Sequence, residues 1–178
     1  MSIKFIAIAA VSLDGKIAKH KNHPSDWTSK EDKKMMKGLL NKCDVVLVGN
    51  NTYKTAREHL SKINCIIFTK SVNKPVKKSE NLLLANPDKV DIKKLIARHG
   101  YKTVAILGGA QTYTYCLRNG MFDELYLTIE PIVFGKGIGL FDGIADGIKK
   151  FKLTSVKSLN KKGSVVLRYK TGSTHQKL

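Results

Sequence analysis

Two adjacent glycines close an apolar run in the middle of the chain. The segment "ILGGAQTYTY" (residues 106–115) places Gly108 and Gly109 between that run and a stretch with helical character. Glycine inside a strand or helix costs about 0.5–1 kcal/mol relative to alanine, so a pair at a strand's end indicates a sharp turn or a close approach to another group. A helix beginning near Ala110 or Gln111 would offer free N–H groups and the positive end of its dipole. The segment is therefore consistent with a phosphate cradle, and equally with a strand-to-helix turn that binds nothing.

A carboxylate lies in the first turn of another predicted helix. In "SKEDKKMMKGLLNKC" (residues 29–43), Ser29 is a suitable N-cap and Asp32 follows three residues later. The only tryptophan, Trp27, precedes Asp32 by five residues. By position alone, Asp32 could simply stabilise the helix dipole. Proton transfer is the alternative role, and it requires apolar surroundings that raise the pKa above the value of about 3.9 for a free aspartate.

Alternating strands and helices must position these residues. Apolar runs without strict alternation predict strands buried on both faces of a sheet. These runs are residues 3–11, 45–48, 65–69, 82–85 and 103–107. Helical patterns lie between them, two of which end in the capping residues Gly100 and Gly120. The later stretch "FKLTSVKSLNKKGSVVLRYKT" predicts an antiparallel hairpin that turns at Lys162 and Gly163. The pattern predicts an α/β fold with a mostly parallel central sheet, in which ligands bind beyond the carboxyl ends of the strands.

Composition indicates a basic globular protein. The chain has 178 residues, of which 42% are hydrophobic, and we expect residues 1–171 to form one domain and residues 172–178 a mobile tail. The net charge of +18 results from 32 Lys and Arg against 14 Asp and Glu. The lysines are dispersed and are not interleaved with aromatic residues, so no dedicated nucleic-acid site is expected. Such a charge would still attract anionic ligands.

The cysteines and the hydropathy bear on the cellular compartment in which the protein is expected. The three cysteines are far apart and form no CxxC pair, and no histidine pair has metal-ligand spacing, so we expect no structural metal and a reducing cytoplasm. No apolar run approaches the roughly 18 residues of a membrane span. The apolar start is interpreted as a first strand rather than a leader peptide. We expect a cytoplasmic monomer or homodimer.

The ordered set of motifs resembles dihydrofolate reductase and the reductase domain of riboflavin biosynthesis, over roughly residues 3–170. Its parts are Trp27 with Asp32, the loop from Gly49 to Thr52, the Gly-Gly-x-x-x-Tyr segment at 108–113 and a "YLT" strand ending in Thr128. The stretch "SLDGKIA" (residues 12–18) is more similar to the riboflavin-pathway reductases. The resemblance implies the three-layer α-β-α fold of the dihydrofolate reductase-like superfamily.

The resemblance implies an NADPH-dependent oxidoreductase, most directly one that reduces dihydrofolate to tetrahydrofolate in one-carbon metabolism. Hydride would pass to a C=N bond of the pterin while Asp32 binds its 2-amino-4-oxo edge and assists protonation. Thr128 would orient that carboxylate, and Trp27 is the third implied catalytic residue. The implied cofactor-binding residues are Ala9, Ile17, Gly49, Asn50, Thr52, Thr69, Lys70, Ser71, Gly108, Gly109, Ala110, Gln111, Thr112 and Tyr113. The implied substrate-binding residues are Ala7, Lys33, Met36 and Lys37. Thr69, Lys70 and Ser71 occupy the place where the family holds the cofactor's 2′-phosphate.

Departures from the dihydrofolate reductase pattern leave a second substrate class open, although dihydrofolate stays the main expectation. Asn50 stands where those enzymes usually carry an arginine, Ile63 stands where another arginine binds folate, and Lys33 replaces a usually apolar residue. A 5-phosphoribosylamino-pyrimidine of riboflavin biosynthesis would suit Lys33 and Lys37, although reductases of that pathway generally lack an acid at the position of Asp32. A non-catalytic nucleotide or nucleic-acid binding protein on the same scaffold is a further alternative.

Overall fold

The computed structural model describes residues 2–143 and 149–172. Within these residues the strands are β1 (Lys4–Ser12), β2 (Lys16–Ala18), β3 (Val45–Gly49), β4 (Cys65–Phe68), β5 (Val76–Lys77), β6 (Leu82–Ala85), β7 (Thr103–Ile106), β8 (Glu124–Glu130), β9 (Ile138–Gly139), β10 (Phe151–Ser158) and β11 (Val165–Thr171). The helices are α1 (Lys30–Leu40), α2 (Asn50–Thr55), α3 (Arg57–Leu60), α4 (Ile92–Arg98) and α5 (Ala110–Arg118). Apart from Gly172, the predicted tail lies outside the described residues.

One large sheet forms the middle of the fold. Within the described ranges it has nine strands in the order β10-β11-β8-β1-β7-β3-β4-β6-β5, and β2 and β9 form a separate antiparallel pair. The six strands from β8 to β6 in this order run parallel to one another. The strands β10, β11 and β5 are antiparallel additions at the two ends. The mostly parallel sheet and the C-terminal hairpin expected from the sequence are confirmed.

Apolar side chains cover both faces of this sheet. Successive residues of a strand point to opposite faces, and accordingly Leu47 lies in one buried cluster while Val46 and Val48 lie in the other. Helices α4 and α5 contribute to the first cluster, and α1 and α3 contribute to the second. The result is the expected three-layer arrangement of helices, sheet and helices.

Strand β6 departs from the prediction that it is buried on both faces. Leu82, Leu83 and Leu84 are only half-buried, because β6 has only the two-residue strand β5 on its outer side. The short elements β2, β5, β9 and α3 have no counterpart in the sequence prediction. They contain two to four residues each, too few to show a periodicity.

Helix boundaries follow the predicted caps. The Ser29 side chain accepts a hydrogen bond from the Asp32 backbone N–H at 3.2 Å, which makes Ser29 the N-cap of α1. Gly100 and Gly120 lie just beyond α4 and α5 with φ of +73° and +60°, as expected for glycines that end helices. The Ser29 side chain thus fixes the residue at which α1 begins, and Asp32 lies in the first turn of that helix.

Two kinds of feature are absent from the described ranges. No helix in them combines the length and the apolar character that crossing a membrane requires. No group of three or more His, Cys, Asp and Glu side chains in them is placed to hold a metal ion.

Candidate active site

The predicted site residues collect at the edge where the parallel strands end. Strands β8, β1, β7, β3 and β4 are consecutive neighbours in the sheet. At or near their carboxyl ends they carry, in that order, Thr128, Ala9, Gly108, Gly49 and Thr69. Open α/β sheets bind ligands beyond this edge. The fold therefore brings most of the predicted cofactor residues, together with Thr128, to one side of the molecule.

Two glycine loops touch each other at this edge. The Gly49 N–H donates a hydrogen bond to the Gly108 carbonyl oxygen at 2.7 Å. A Cβ added at Gly49 would lie 2.9 Å from Thr112 Oγ1, and one added at Gly109 would lie 3.4 Å from Thr52 Oγ1. A larger residue at 49 would displace the Thr112 side chain, whereas a Cβ at 109 would make an ordinary contact, so Gly49 is the glycine that the close approach of the two loops depends on.

The amino end of α5 is open to a ligand. The helix begins at Ala110, with the half-buried Gly109 as its N-cap. No side chain of the described residues caps this end by a hydrogen bond. The first N–H groups, including those of Gln111 and Thr112, have no acceptors within the helix. Such N–H groups bind phosphate well.

Tyr113 holds the Gly108 turn in place. Its side chain is buried and its hydroxyl donates to the Ile8 carbonyl oxygen at 2.6 Å. Gly108 has a φ of +85°, and a Cβ there would lie 2.5 Å from the ring carbon Cε2 of Tyr113. Since the hydroxyl is already bonded to the main chain, a cofactor role of Tyr113 is indirect and depends on the turn that the ring supports.

Asp32 is the only buried residue of α1, with 6% of its surface exposed. Burial raises the pKa of its carboxyl above the ordinary value, and the nearby Glu130 carboxylate acts in the same direction. The neighbouring Thr128 and Thr28 hydroxyls and the Lys33 ammonium partly oppose this rise in the pKa. A carboxyl with a raised pKa retains its proton to higher pH and can deliver it to a reacting atom. Asp32 therefore has the raised pKa that a role in proton transfer requires.

The Thr128 hydroxyl is an unpartnered polar group inside the protein. The residue is fully buried, and among the described residues its Oγ1 has no hydrogen-bond partner. Buried hydroxyls are nearly always hydrogen-bonded. Thr128 Oγ1 is therefore available to a rotated Asp32 carboxyl or to a ligand that enters beside it.

Glu130 is a second buried carboxylate, and sequence reasoning missed it. It lies two residues beyond Thr128 in β8, which places both side chains on the same face of the strand. Its exposure is 4%. The alternation of the predicted strand could have identified it, because an acid two positions after a functional threonine faces the same cleft.

Asp14 joins the loop after β1 to the loop after β8. Its carboxylate accepts hydrogen bonds from Ser12 Oγ at 2.6 Å and from the Phe134 and Gly135 N–H groups at 3.0 and 2.9 Å. The Ser12 bond, followed by the Phe134 bond, lowers the pKa of Asp14, so the carboxylate stays ionised down to low pH. The pairing of β2, which contains Ile17, with β9 connects the same two loops.

Replacing Asp14 by alanine is expected to loosen this connection. The variant loses all three hydrogen bonds between the carboxylate and its donors. We therefore expect faster amide hydrogen exchange in residues 13–18, with little change in the melting temperature because these contacts lie outside the two buried core clusters. Hydrogen-exchange mass spectrometry measures the exchange, and Asp26→Ala, which removes an exposed acid before α1, is the control. Equal exchange in the two variants would contradict the assigned role.

The remaining predicted catalytic and substrate-binding residues differ in how deeply they are buried. Trp27 is half-buried and packs edge-to-face on Phe134, with ring centroids 5.0 Å apart. Lys33 and Lys37 are exposed on α1. Met36 packs against the second core cluster, and Ala7 is fully buried in β1.

The predicted 2′-phosphate residues follow β4. The hydroxyl oxygens of Thr69 and Ser71 lie 3.0 Å apart. Lys70 Nζ pairs with Asp88 Oδ2 at 3.1 Å, and both side chains are largely exposed. Exposed ion pairs are weak, so a phosphate dianion can compete with Asp88 for Lys70.

Comparison with known proteins identifies related sequences. A family model described as the RibD C-terminal domain matches residues 4–65 and 61–165. The uncharacterized protein YwjB of Bacillus subtilis is 26% identical over 161 residues, which cover 84% of this chain and 88% of YwjB.

Solved structures share the fold. A pyrimidine reductase-like protein from Corynebacterium diphtheriae has a TM-score of 0.75 and 19% identity, covering 95% of this chain and 92% of its own. A diaminohydroxyphosphoribosylaminopyrimidine deaminase/5-amino-6-(5-phosphoribosylamino)uracil reductase from Thermotoga maritima has a TM-score of 0.70 and 20% identity, and the match covers 96% of this chain but 57% of that longer one. Dihydrofolate reductase from Enterococcus faecalis, complexed with NADP(H) and RAB-propyl, has a TM-score of 0.67 and 20% identity, covering 96% of this chain and 97% of its own.

Proposed function

Because the chain belongs to the RibD C-terminal domain family of reductase-type enzymes and has the dihydrofolate reductase-like fold, we propose that it reduces a 5-phosphoribosylamino-pyrimidine with NADPH. One domain spanning residues 1–171 would carry the whole site. The observation that carries the reduction chemistry is the buried Asp32 carboxyl, with its raised pKa, beside the unpartnered Thr128 hydroxyl, whereas the family match supports the choice of substrate. The glycine loops that follow the neighbouring strands β3 and β7 lie at the same edge of the sheet.

The chain's own groups fit a phosphorylated dinucleotide. The open amino end of α5 and the backbone of Gly49 and Gly109 would hold the pyrophosphate, as such helix ends do. Thr69, Lys70 and Ser71 would hold the 2′-phosphate, after Asp88 releases Lys70. When bound, the dinucleotide supplies the hydride. Ala9 and Ile17 would line the nicotinamide end of this cleft.

Asp32 would supply the proton that completes the reduction. An open-chain ribosylamine contains a C=N bond, and its reduction adds a hydride to carbon and a proton to nitrogen. Because burial raises the pKa of Asp32, its carboxyl holds that proton at a higher pH than a free aspartate would. Thr128 would orient the carboxyl through its free hydroxyl. The chain thus contributes positioning and one proton.

The charge around Asp32 supports an anionic substrate. Lys33 and Lys37 lie one turn apart on α1 and are exposed, so they are available to a phosphate group. The net charge of +18 favours the approach of anions from a distance. The family match and the pyrimidine reductase-like neighbour support this substrate class over dihydrofolate.

Reduction of dihydrofolate is the second candidate, and Asp32 is the observation that favours it. The resemblance to dihydrofolate reductase implies an acid at this place that binds the 2-amino-4-oxo edge of a pterin. The burial of Asp32 next to Thr128 is consistent with that role.

A paired activity assay tests the proposal. The purified chain is given the phosphoribosylaminopyrimidine or dihydrofolate, each with NADPH or NADH, and the loss of reduced-nicotinamide absorbance is followed. We expect turnover of the phosphoribosylaminopyrimidine, with NADPH preferred. Turnover of dihydrofolate alone would transfer the proposal to the second candidate, and no turnover in any combination would reject both.

A further inference from the structure

Glu130 contacts the first turn of α1 and the C-terminal hairpin at the same time. One of its carboxylate oxygens, Oε1, accepts the Ser29 backbone N–H at 2.7 Å. The other, Oε2, accepts the Ser164 hydroxyl at 2.5 Å. Glu130 and Ser164 are 4% and 1% exposed. Hydrogen bonds donated to a carboxylate are short and strong, so Glu130 fixes three segments against one another.

A second contact connects the same segments. The Asn160 side-chain amide, in the turn between β10 and β11, donates to Ser164 Oγ at 3.0 Å and to Glu31 Oε2 at 3.2 Å. The Glu31 contact is exposed, whereas the Glu130 contacts are part-buried or buried. The buried carboxylate is therefore the firmer of the two connections between the hairpin and α1.

These contacts lead directly to Asp32. Glu130 holds the backbone of Ser29, and the Ser29 side chain accepts the Asp32 N–H at 3.2 Å. Met36, Leu39 and Leu40 pack the later turns of α1 against the second core cluster, whereas the Ser29–Glu130 hydrogen bond holds the residue at which its first turn begins. The orientation of the Asp32 carboxyl thus depends on the first turn of α1, which Glu130 anchors.

We propose that Glu130 is a positioning residue that holds the first turn of α1 and so sets the direction and the electrostatic surroundings of the Asp32 carboxyl. The catalytic consequence rests on the proposed function, but the effect on Asp32 itself does not. Misplacing a reacting group by about 1 Å can cost about 100-fold in rate. Glu130 is not among the residues proposed to touch substrate or cofactor, and it acts through Ser29.

The charge of Glu130 acts on the ionisation of Asp32 in one direction. The groups that face Asp32 are Thr128 and Glu130 on β8, Thr28 before α1, Lys33 on α1 and Tyr113 on α5. Glu130 is the only carboxylate among these groups, and its negative charge opposes ionisation of Asp32. Removing that charge while keeping the side-chain shape should therefore ease the ionisation of Asp32.

Carboxyl NMR of aspartate-labelled protein tests the effect of Glu130 on Asp32 without any ligand. The Asp32 signal is assigned by its loss in Asp32→Asn, and its titration is compared in the wild type, Glu130→Gln and Glu31→Gln. Glutamine at 130 can still accept the Ser29 N–H, and Glu31→Gln is the matched control in the same helix turn. We expect the midpoint of Asp32 to move to lower pH in Glu130→Gln and to stay in place in Glu31→Gln. An unchanged midpoint in Glu130→Gln, or equal movement in both variants, would overturn the proposal.

Kinetics provide the second readout if the chain turns over its substrate. We expect Glu130→Ala to lose about 10- to 100-fold in kcat/KM, with a smaller loss in Glu130→Gln because the Ser29 contact survives. Wild-type kcat/KM in a folded Glu130→Ala variant would overturn the proposal. If the wild type shows no turnover, the proposed function fails while the NMR titration still decides the role of Glu130.

Discussion

Replacing Asp32 by asparagine is expected to lower turnover by about 10²- to 10⁴-fold, the range that general acid catalysis contributes. Asparagine has nearly the same shape and can still meet the Thr128 hydroxyl, but it has no acidic proton to deliver. The measurement is the initial rate of NADPH oxidation with the phosphoribosylaminopyrimidine. Glu31→Gln removes an exposed carboxylate from the same helix turn and should leave the rate unchanged. Normal turnover in Asp32→Asn would reject Asp32 as the proton donor.

Stability separates this loss of activity from unfolding. The pKa of Asp32 is raised in the folded state, so the folded protein binds the proton more tightly than the unfolded chain does. The free energy of unfolding must then fall as pH rises through the folded pKa. Asparagine carries no charge and removes that loss. We therefore expect Asp32→Asn to melt at or above the wild-type temperature at neutral pH, and a lower melting temperature would contradict the direction of the pKa shift.

Replacing Gly108 by alanine is expected to give the largest combined loss of stability and cofactor binding. Alanine at φ +85° costs about 1–2 kcal/mol. Its Cβ would also lie 2.5 Å from the Tyr113 ring, and such overpacking costs about 1–3 kcal/mol. Displacing Tyr113 or Gly108 moves the loop that contacts Gly49. We expect a fall of about 2–5 kcal/mol in the free energy of unfolding, measured with urea, and loss of NADPH binding in calorimetry.

Gly38→Ala is the matched control for that substitution. Gly38 lies inside α1, and a Cβ there would meet no atom within 4 Å. Alanine in a helix interior should raise the free energy of unfolding by about 0.5–1 kcal/mol and leave NADPH binding unchanged. If Gly108→Ala behaves like Gly38→Ala, then the turn does not need glycine and Tyr113 does not support the cofactor loop.

Features that repeat along the chain could be predicted from the sequence. The buried strands carry runs of apolar residues, Ser29 precedes an amphipathic helix, and Gly100 follows one, so the strands, caps and layers are each encoded in a few neighbouring residues. The burial of β6 could not be predicted in this way, because it depends on how short the neighbouring strand β5 is. The order of strands in the sheet brings Thr128 and Gly108 to one edge, and local periodicity does not contain that order.

The side-chain network around Asp32 could not be predicted from the sequence, for a different reason. Glu130 and Ser29 are 101 residues apart, and Glu130 and Ser164 are 34 apart. Neither pair has a spacing that indicates contact. Asp14 was visible only as part of "SLDGKIA", because its partners Phe134 and Gly135 lie in a distant loop. The role of Tyr113 also changes once its hydroxyl is known to bond Ile8. Such contacts follow from the tertiary fold rather than from any local pattern.

Amide and carboxyl NMR during a titration with NADP+, followed by the phosphoribosylaminopyrimidine, tests most directly whether Asp32 and the glycine loops share one cleft. We predict saturable shifts of the Gly49, Gly109 and Gln111 amides with the dinucleotide, and then a shift of the Asp32 carboxyl when the pyrimidine is added. Binding of the dinucleotide that leaves those amides unmoved, or of the pyrimidine that leaves Asp32 unmoved, would contradict the account.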